Sequence, residues 1–158
     1  MIFVGRFLLN IFPLIYMYLI WQQTSHFDPE SVSDLRHVLN PYLILAIGAA
    51  LELGHFFEFG ILYFLLILAF LSFGHLKKWK EVLVLIFSIS YGFLDEIHQL
   101  FVPFRSFSIV DLIKNAIGVF VIAILIHKNY FNSKESRFGQ FLRSSTNFFK
   151  KGKSKVYF

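Results

Sequence analysis

The chain alternates long apolar runs with short polar interruptions, and the lengths of those runs set its class. A membrane crossing takes about 20 mainly apolar residues in a helix. Four stretches reach that length: about Ile2–Trp21, His55–Phe73, Glu81–Phe101 and Ile109–His127. Pro13 predicts a kink in the first and Trp21 an anchor at the membrane interface. A cleaved signal peptide is the alternative for this stretch, but no small-residue cleavage site follows Gln22, Gln23 and Thr24. Residues 22–40 carry Asp28, Glu30, Asp34, Arg36 and His37 and read as an exposed loop. Pro41–Leu53 is apolar but only 13 residues long, which predicts an interfacial or re-entrant piece before the second span. The expectation is an all-α, polytopic protein of the cell membrane with four transmembrane helices.

Composition supports that class. Of 158 residues, 56% are hydrophobic and only 16% charged, against roughly 25% charged in ordinary globular domains. The chain has no cysteine, which excludes disulfides, thiolate metal sites and cysteine nucleophiles. Basic residues then predict orientation, because they gather on the cytoplasmic side. Lys77, Lys78 and Lys80 lie between the second and third spans, and residues 128–158 hold eight basic residues against one acid, Glu135. Two crossings separate these clusters, so both face the cytoplasm, as does Arg6, in an N-in, C-in topology. Residues 22–54 and the turn Val102–Ser108 then face outward. Residues 1–127 read as the membrane domain and 128–158 as a basic cytoplasmic tail. Within the tail, Phe138, Phe141, Leu142, Ser145 and Phe149 fall at helical spacing beside Arg137 and Arg143. That pattern predicts an amphipathic segment on the anionic lipids of the inner leaflet, the alternative being an unstructured tail that obeys the same charge rule. Topology accounts for these charges, so no nucleic-acid partner is expected.

Polar groups inside the spans are the candidate chemistry, since burying charge in hydrocarbon costs about 2.5–3.5 kcal/mol per residue on insertion scales. In the third span Ser88, Gly92, Asp95 and Gln99 share a helix face, with Glu96 on its flank and His98 beside it. In the fourth, Ser108, Asp111, Asn115 and Gly118 form a second stripe. His55 and Glu58 lie one turn apart near the outer end of the second span, and Arg105 sits in the turn joining the two stripes. All fall in the outward half, which predicts one polar pocket. For each group a structural reading stands beside the functional one. Asp111 and Asn115 also suit helix-packing contacts, with Gly92 and Gly118 allowing close approach. Arg105 suits either a structural ion pair or a bidentate clamp on phosphate or carboxylate. His55 and Glu58 suit a satisfied pair or a proton-handling pair.

Metal and nucleophile chemistry fit poorly. His55-x-x-Glu58 and Asp95-x-x-His98 only superficially resemble di-iron bundles, whose Glu-x-x-His order is reversed in the first and whose ligand count is incomplete. Neither a metal nor a cofactor is expected. Ser106 and Ser108 lie near Asp111 without a histidine placed to activate either.

The run Glu96, Gln99, Arg105, Asp111, Asn115-x-x-Gly118 resembles the core pattern of the VanZ-like membrane protein family, over about residues 50–127. The segment Glu52–Leu62 is similar to the His-containing start of an earlier helix in many short members. Two positions depart from the pattern: Phe104, where a small residue often precedes the Arg, and Lys114, where an apolar or small residue is common. The resemblance implies an envelope-facing role and, through the family's name-giving member, a link to resistance against teicoplanin-type glycopeptides. The leading expectation is a pocket that binds a lipid-linked or lipid-like anionic ligand: a membrane lipid, a lipid-linked cell-wall precursor or a lipoglycopeptide. His55, Glu58, Asp95, Glu96, His98, Gln99, Arg105, Asp111 and Asn115 are its candidate residues. The rivals are an intramembrane enzyme with a carboxylate base and a histidine partner, a small proton-coupled transporter and a structural scaffold. Four spans suit a transporter better as a homo-oligomer.

Overall fold

The computed structural model describes residues 2–26, 39–132 and 136–151. The acidic part of the predicted outer loop (Asp28, Glu30, Asp34, with Arg36 and His37) and tail residues Lys134, Glu135, Lys153 and Lys155 lie outside them. Four long helices run antiparallel: α1 (Ile2–His26), α2 (Pro41–Ser72), α3 (Lys78–Gln99) and α4 (Ile109–His127). A π-helical turn, Lys128–Asn132, extends α4, and α5 (Arg137–Lys151) follows. Among the described residues, three helices are long and apolar enough to cross a membrane: α1, α2, and α4 with its extension.

The expected third span is not one of these. The 22 residues of α3 include Lys78, Lys80, Glu81, Asp95 and Glu96. The packing shows where this polarity goes. Ser88 and Glu96 are 0% exposed and Asp95 and Gln99 2%, whereas Val82, Leu83, Ile86 and Phe87 are 46–55% exposed. The helix turns its polar face into the bundle and its apolar face outward, the reverse of a helix bordering water.

A second expectation is also corrected. Pro41–Leu53 is not a separate interfacial or re-entrant piece but the first part of α2, a single helix of 32 residues. Asn40 caps it, its side chain accepting from the Tyr42 N–H at 2.9 Å, and Pro41 takes the first turn, where no N–H is needed. At 1.5 Å per residue α2 is about 48 Å long and outreaches the roughly 30 Å hydrocarbon layer. Helix α1 runs through Pro13, which is buried.

Phe59, Leu62, Tyr63, Ile67 and Leu71 of α2 form the centre of the core, meeting Val84 of α3 and Val119, Ala123 and Ile126 of α4. The closest crossing is between α2 and α4. A Cβ on Gly118 would lie 1.9 Å from the Phe56 carbonyl oxygen, so only glycine fits there. Gly60 faces Gly118 from the other side.

The two ends of the bundle differ in chemistry. At one end Arg6 donates to the Phe149 carbonyl (2.6 Å), Glu81 pairs with His127 (2.8 Å), and Lys77, Lys78 and Lys80 cluster at the start of α3. Helix α5 docks here rather than trailing free. Leu142, Thr146 and Phe149 are buried, and Arg143 donates to the carbonyls of Asn129 (3.2 Å) and Tyr130 (2.8 Å). Those are carbonyls at the end of α4, where a cation is favoured. The opposite end carries the acids of the predicted pocket.

Candidate functional site

The C-terminal end of α3, the start of α4 and the turn between them form the floor of the site. Ser108 caps α4, its Oγ accepting from the Asp111 N–H at 3.1 Å. The Ser108 N–H in turn donates to Glu96 Oε2 at 3.0 Å, which ties the turn to α3. Gln99 Nε2 bridges Glu96 Oε1 and Asp95 Oδ2, each at 3.3 Å, and Thr24 Oγ1 of α1 donates to Asp95 Oδ1 at 2.8 Å. Two buried carboxylates are thus held by a hydroxyl, an amide and a backbone N–H. In a low-dielectric interior such a network is strong when satisfied and very unfavourable when broken.

Above this floor lies a cavity of about 480 Å³. His55 and Glu58 enter it from α2, Gln99 from α3, Asp111 from α4 and Arg105 from the connecting turn. Five of the nine expected residues therefore line one space. Asp95 and Glu96 lie behind it, tethered through Gln99. Asn115 does not line the cavity: with its amide nitrogen turned toward α2, it donates to the carbonyls of Asp111 (3.2 Å) and His55 (3.3 Å). His98 stands apart. Its ring stacks on Trp21 at 3.6 Å and 11°, and its Nε2 lies 3.4 Å from Ser25 Oγ. Trp21, expected as an interface anchor, thus also pins α1 to α3. Among the described residues no three His, Asp or Glu side chains are grouped to hold a metal ion.

Several residues escaped the sequence reading. Gln23 and Thr24 bring α1 into the site, yet isolated polar residues at a helix end carry no signal of their own. Glu52, also in the cavity wall, pairs with Lys114, whose Nζ donates to Asp111 Oδ1 at 2.7 Å as well. Lys114, a departure from the family pattern, ties α2 to α4 at the rim. Phe104, the other departure, holds a left-handed backbone (φ 61°) in the turn that presents Arg105. His55 lines the cavity, and its Nδ1 is buried without a hydrogen-bond partner.

The chain matches the model of the VanZ/LLP1 family over residues 3–131. It belongs to that family. The match begins in α1, well before residue 50, and so takes in Gln23 and Thr24, which α1 contributes to the cavity wall. It ends in the π-helical turn, so helix α5 lies beyond the VanZ/LLP1 region. No curated protein and no solved structure matches this chain.

Proposed function

We propose that this VanZ-like membrane protein binds, in its outward cavity, the polar end of a lipid-linked or lipid-like envelope ligand. One observation carries the reading: a guanidinium, a histidine and carboxylates converge on a single cavity between apolar helices, at the end opposite the basic residues. The distribution of charge supports an N-in, C-in arrangement in which α3 is the fourth crossing, its polar face shielded by its neighbours. Glu52, Glu58 and Asp111 accompany Arg105 in the wall. Such a lining suits a headgroup whose phosphate or carboxylate meets the Arg105 fork while hydroxyl or amine groups meet the acids. A membrane phospholipid, a lipid-linked cell-wall precursor and a lipoglycopeptide all have that chemistry, and a contribution to teicoplanin-type resistance belongs to the same reading. The exposed Phe141 and Phe148 of helix α5, with Arg137, support a resting place for it on anionic inner-leaflet lipid.

Native mass spectrometry of the detergent-purified protein tests the binding. A retained lipid species is expected, lost in Arg105→Ala and weakened in Arg105→Lys, which keeps the charge but not the fork. Retention unchanged in both variants, with each still folded by circular dichroism, removes Arg105 as the clamp and the reading with it. His55 favours a second reading, acid–base chemistry on the bound lipid, because an imidazole lines the cavity beside Glu58 and Asp111. Time-dependent conversion of the retained lipid, abolished by His55→Gln, would establish that reading.

A further inference from the structure

Two smaller spaces flank α2, each sharing wall residues with the next. One, of about 200 Å³, lies between α1 and α2 and shares Gln23 and Glu58 with the cavity. The other, of about 350 Å³, lies between α2 and α4 and shares Phe57 and Ile61 with the first. The walls change along this route from Gln23 and Glu58, through Leu19 and Ile20, to Phe57, Ile61, Val121 and Leu125. Phe57 is 64% and Ile61 44% exposed, although both sit on a helix apolar enough to cross a membrane. Gly54 stands at the opening between α1 and α2, where a Cβ would meet nothing within 4 Å.

A closed polar cavity reached from water would need no apolar exit on the side of the bundle. We propose that the gap between α1 and α2 at Gly54 is a lateral portal, through which the headgroup of a membrane amphiphile enters the cavity from the bilayer. Its acyl chain stays outside, over Phe57 and Ile61, in the apolar groove between α2 and α4. The inference rests on the headgroup reading above and adds the route and the acyl chain to it. The change from polar to apolar lining across three neighbouring spaces is complementary to a single molecule with a polar head and a hydrocarbon tail, and the groove faces the solvent that supplies such tails.

The absence of cysteine makes the test clean, since Gly54→Cys introduces the only thiol. Gly54 is not in the cavity wall, and a bulky methanethiosulfonate reagent plugs the portal on protein that has already folded. The probe is a phospholipid with a diazirine midway along one acyl chain, in vesicles of phosphatidylglycerol and phosphatidylethanolamine. Adducts are expected to concentrate on Leu19, Phe57 and Ile61, to fall at least five-fold after plugging, and to recover on reduction of the plug. Adducts spread evenly over the exposed apolar faces of α1 and α3 would mean annular lipid only and overturn the portal. So would adducts indifferent to the plug, or cross-links from the groove to a second copy of the chain. In any of these cases Arg105-dependent lipid retention would leave the headgroup reading standing. Without such retention both fall.

Discussion

Phe104 shows how a single residue shapes the site. Its backbone is held at φ 61°, a region that bulky L-residues avoid, while its side chain is 68% exposed and has little packing to offset the strain. Phe104→Gly is therefore expected to raise stability by up to about 1 kcal/mol, visible as a higher melting temperature in detergent. Phe104→Ile should lower it, because a β-branched side chain fits that backbone worse still. Glu96 is the opposite case, fully buried and satisfied by Ser108 and Gln99. Glu96→Ala strands the Ser108 N–H, while Gln99 keeps its bond to Asp95, and should destabilise the fold by about 1–3 kcal/mol, the cost of one unsatisfied group. A loss below 1 kcal/mol in equilibrium unfolding would show that the turn is not held by this carboxylate. Residue type alone announced that Glu96, Arg105 and Asp111 were out of place in an apolar chain. It did not separate His55, at the cavity edge, from His98, stacked on Trp21, because the same imidazole serves both settings.

At the scale of elements, hydrophobic periodicity located the four main helices but not how α2 begins. Gly48, Glu52, Gly54 and His55 look like an interruption, and the helix carries straight through them. A glycine inside a helix costs only about 1 kcal/mol, less than the Asn40 cap, the Pro41 start and the packing of the following turns together supply. The α2–α4 crossing depends on Gly118, whose missing Cβ admits the Phe56 carbonyl. Gly118→Ala is expected to force the helices apart and lose about 1–3 kcal/mol, with a lower melting temperature and weaker lipid retention, since Asn115 and Asp111 ride on the same helix. For α3, the sidedness of burial makes its own prediction. Ile86, on the exposed apolar face, should tolerate leucine, whereas Ile86→Lys should lower the membrane-inserted fraction, at about 2.5–3.5 kcal/mol for a lysine in mid-bilayer. Normal insertion of the lysine variant would remove α3 from the lipid-facing layer.

At the scale of the molecule, charge divides the bundle into a basic end and an acidic end, and the chain ends of the bundle, Arg6 and α5, meet at the basic one. With single cysteines in an otherwise cysteine-free chain, Ser106→Cys should react with a membrane-impermeant maleimide in intact cells and Ser136→Cys only after lysis. The reverse pattern would invert the topology. Apolar run length and lysine placement determined the class, the helices and this expected orientation from sequence alone, because hydrophobic transfer and the positive-inside rule act on composition and not on contacts. Sequence also singled out the charged positions, because burial makes their presence improbable without a role. Tertiary structure decided which of them meet. It drew Gln23 and Thr24 in from α1, kept Asn115 out of the cavity wall, and left a smaller space between α1 and α2 beside the cavity. Those outcomes depend on helix crossings fixed by shape, such as Phe56 against Gly118, and on hydrogen bonds between residues some 70 positions apart, such as Thr24 with Asp95. A linear pattern of hydrophobic and polar positions carries neither.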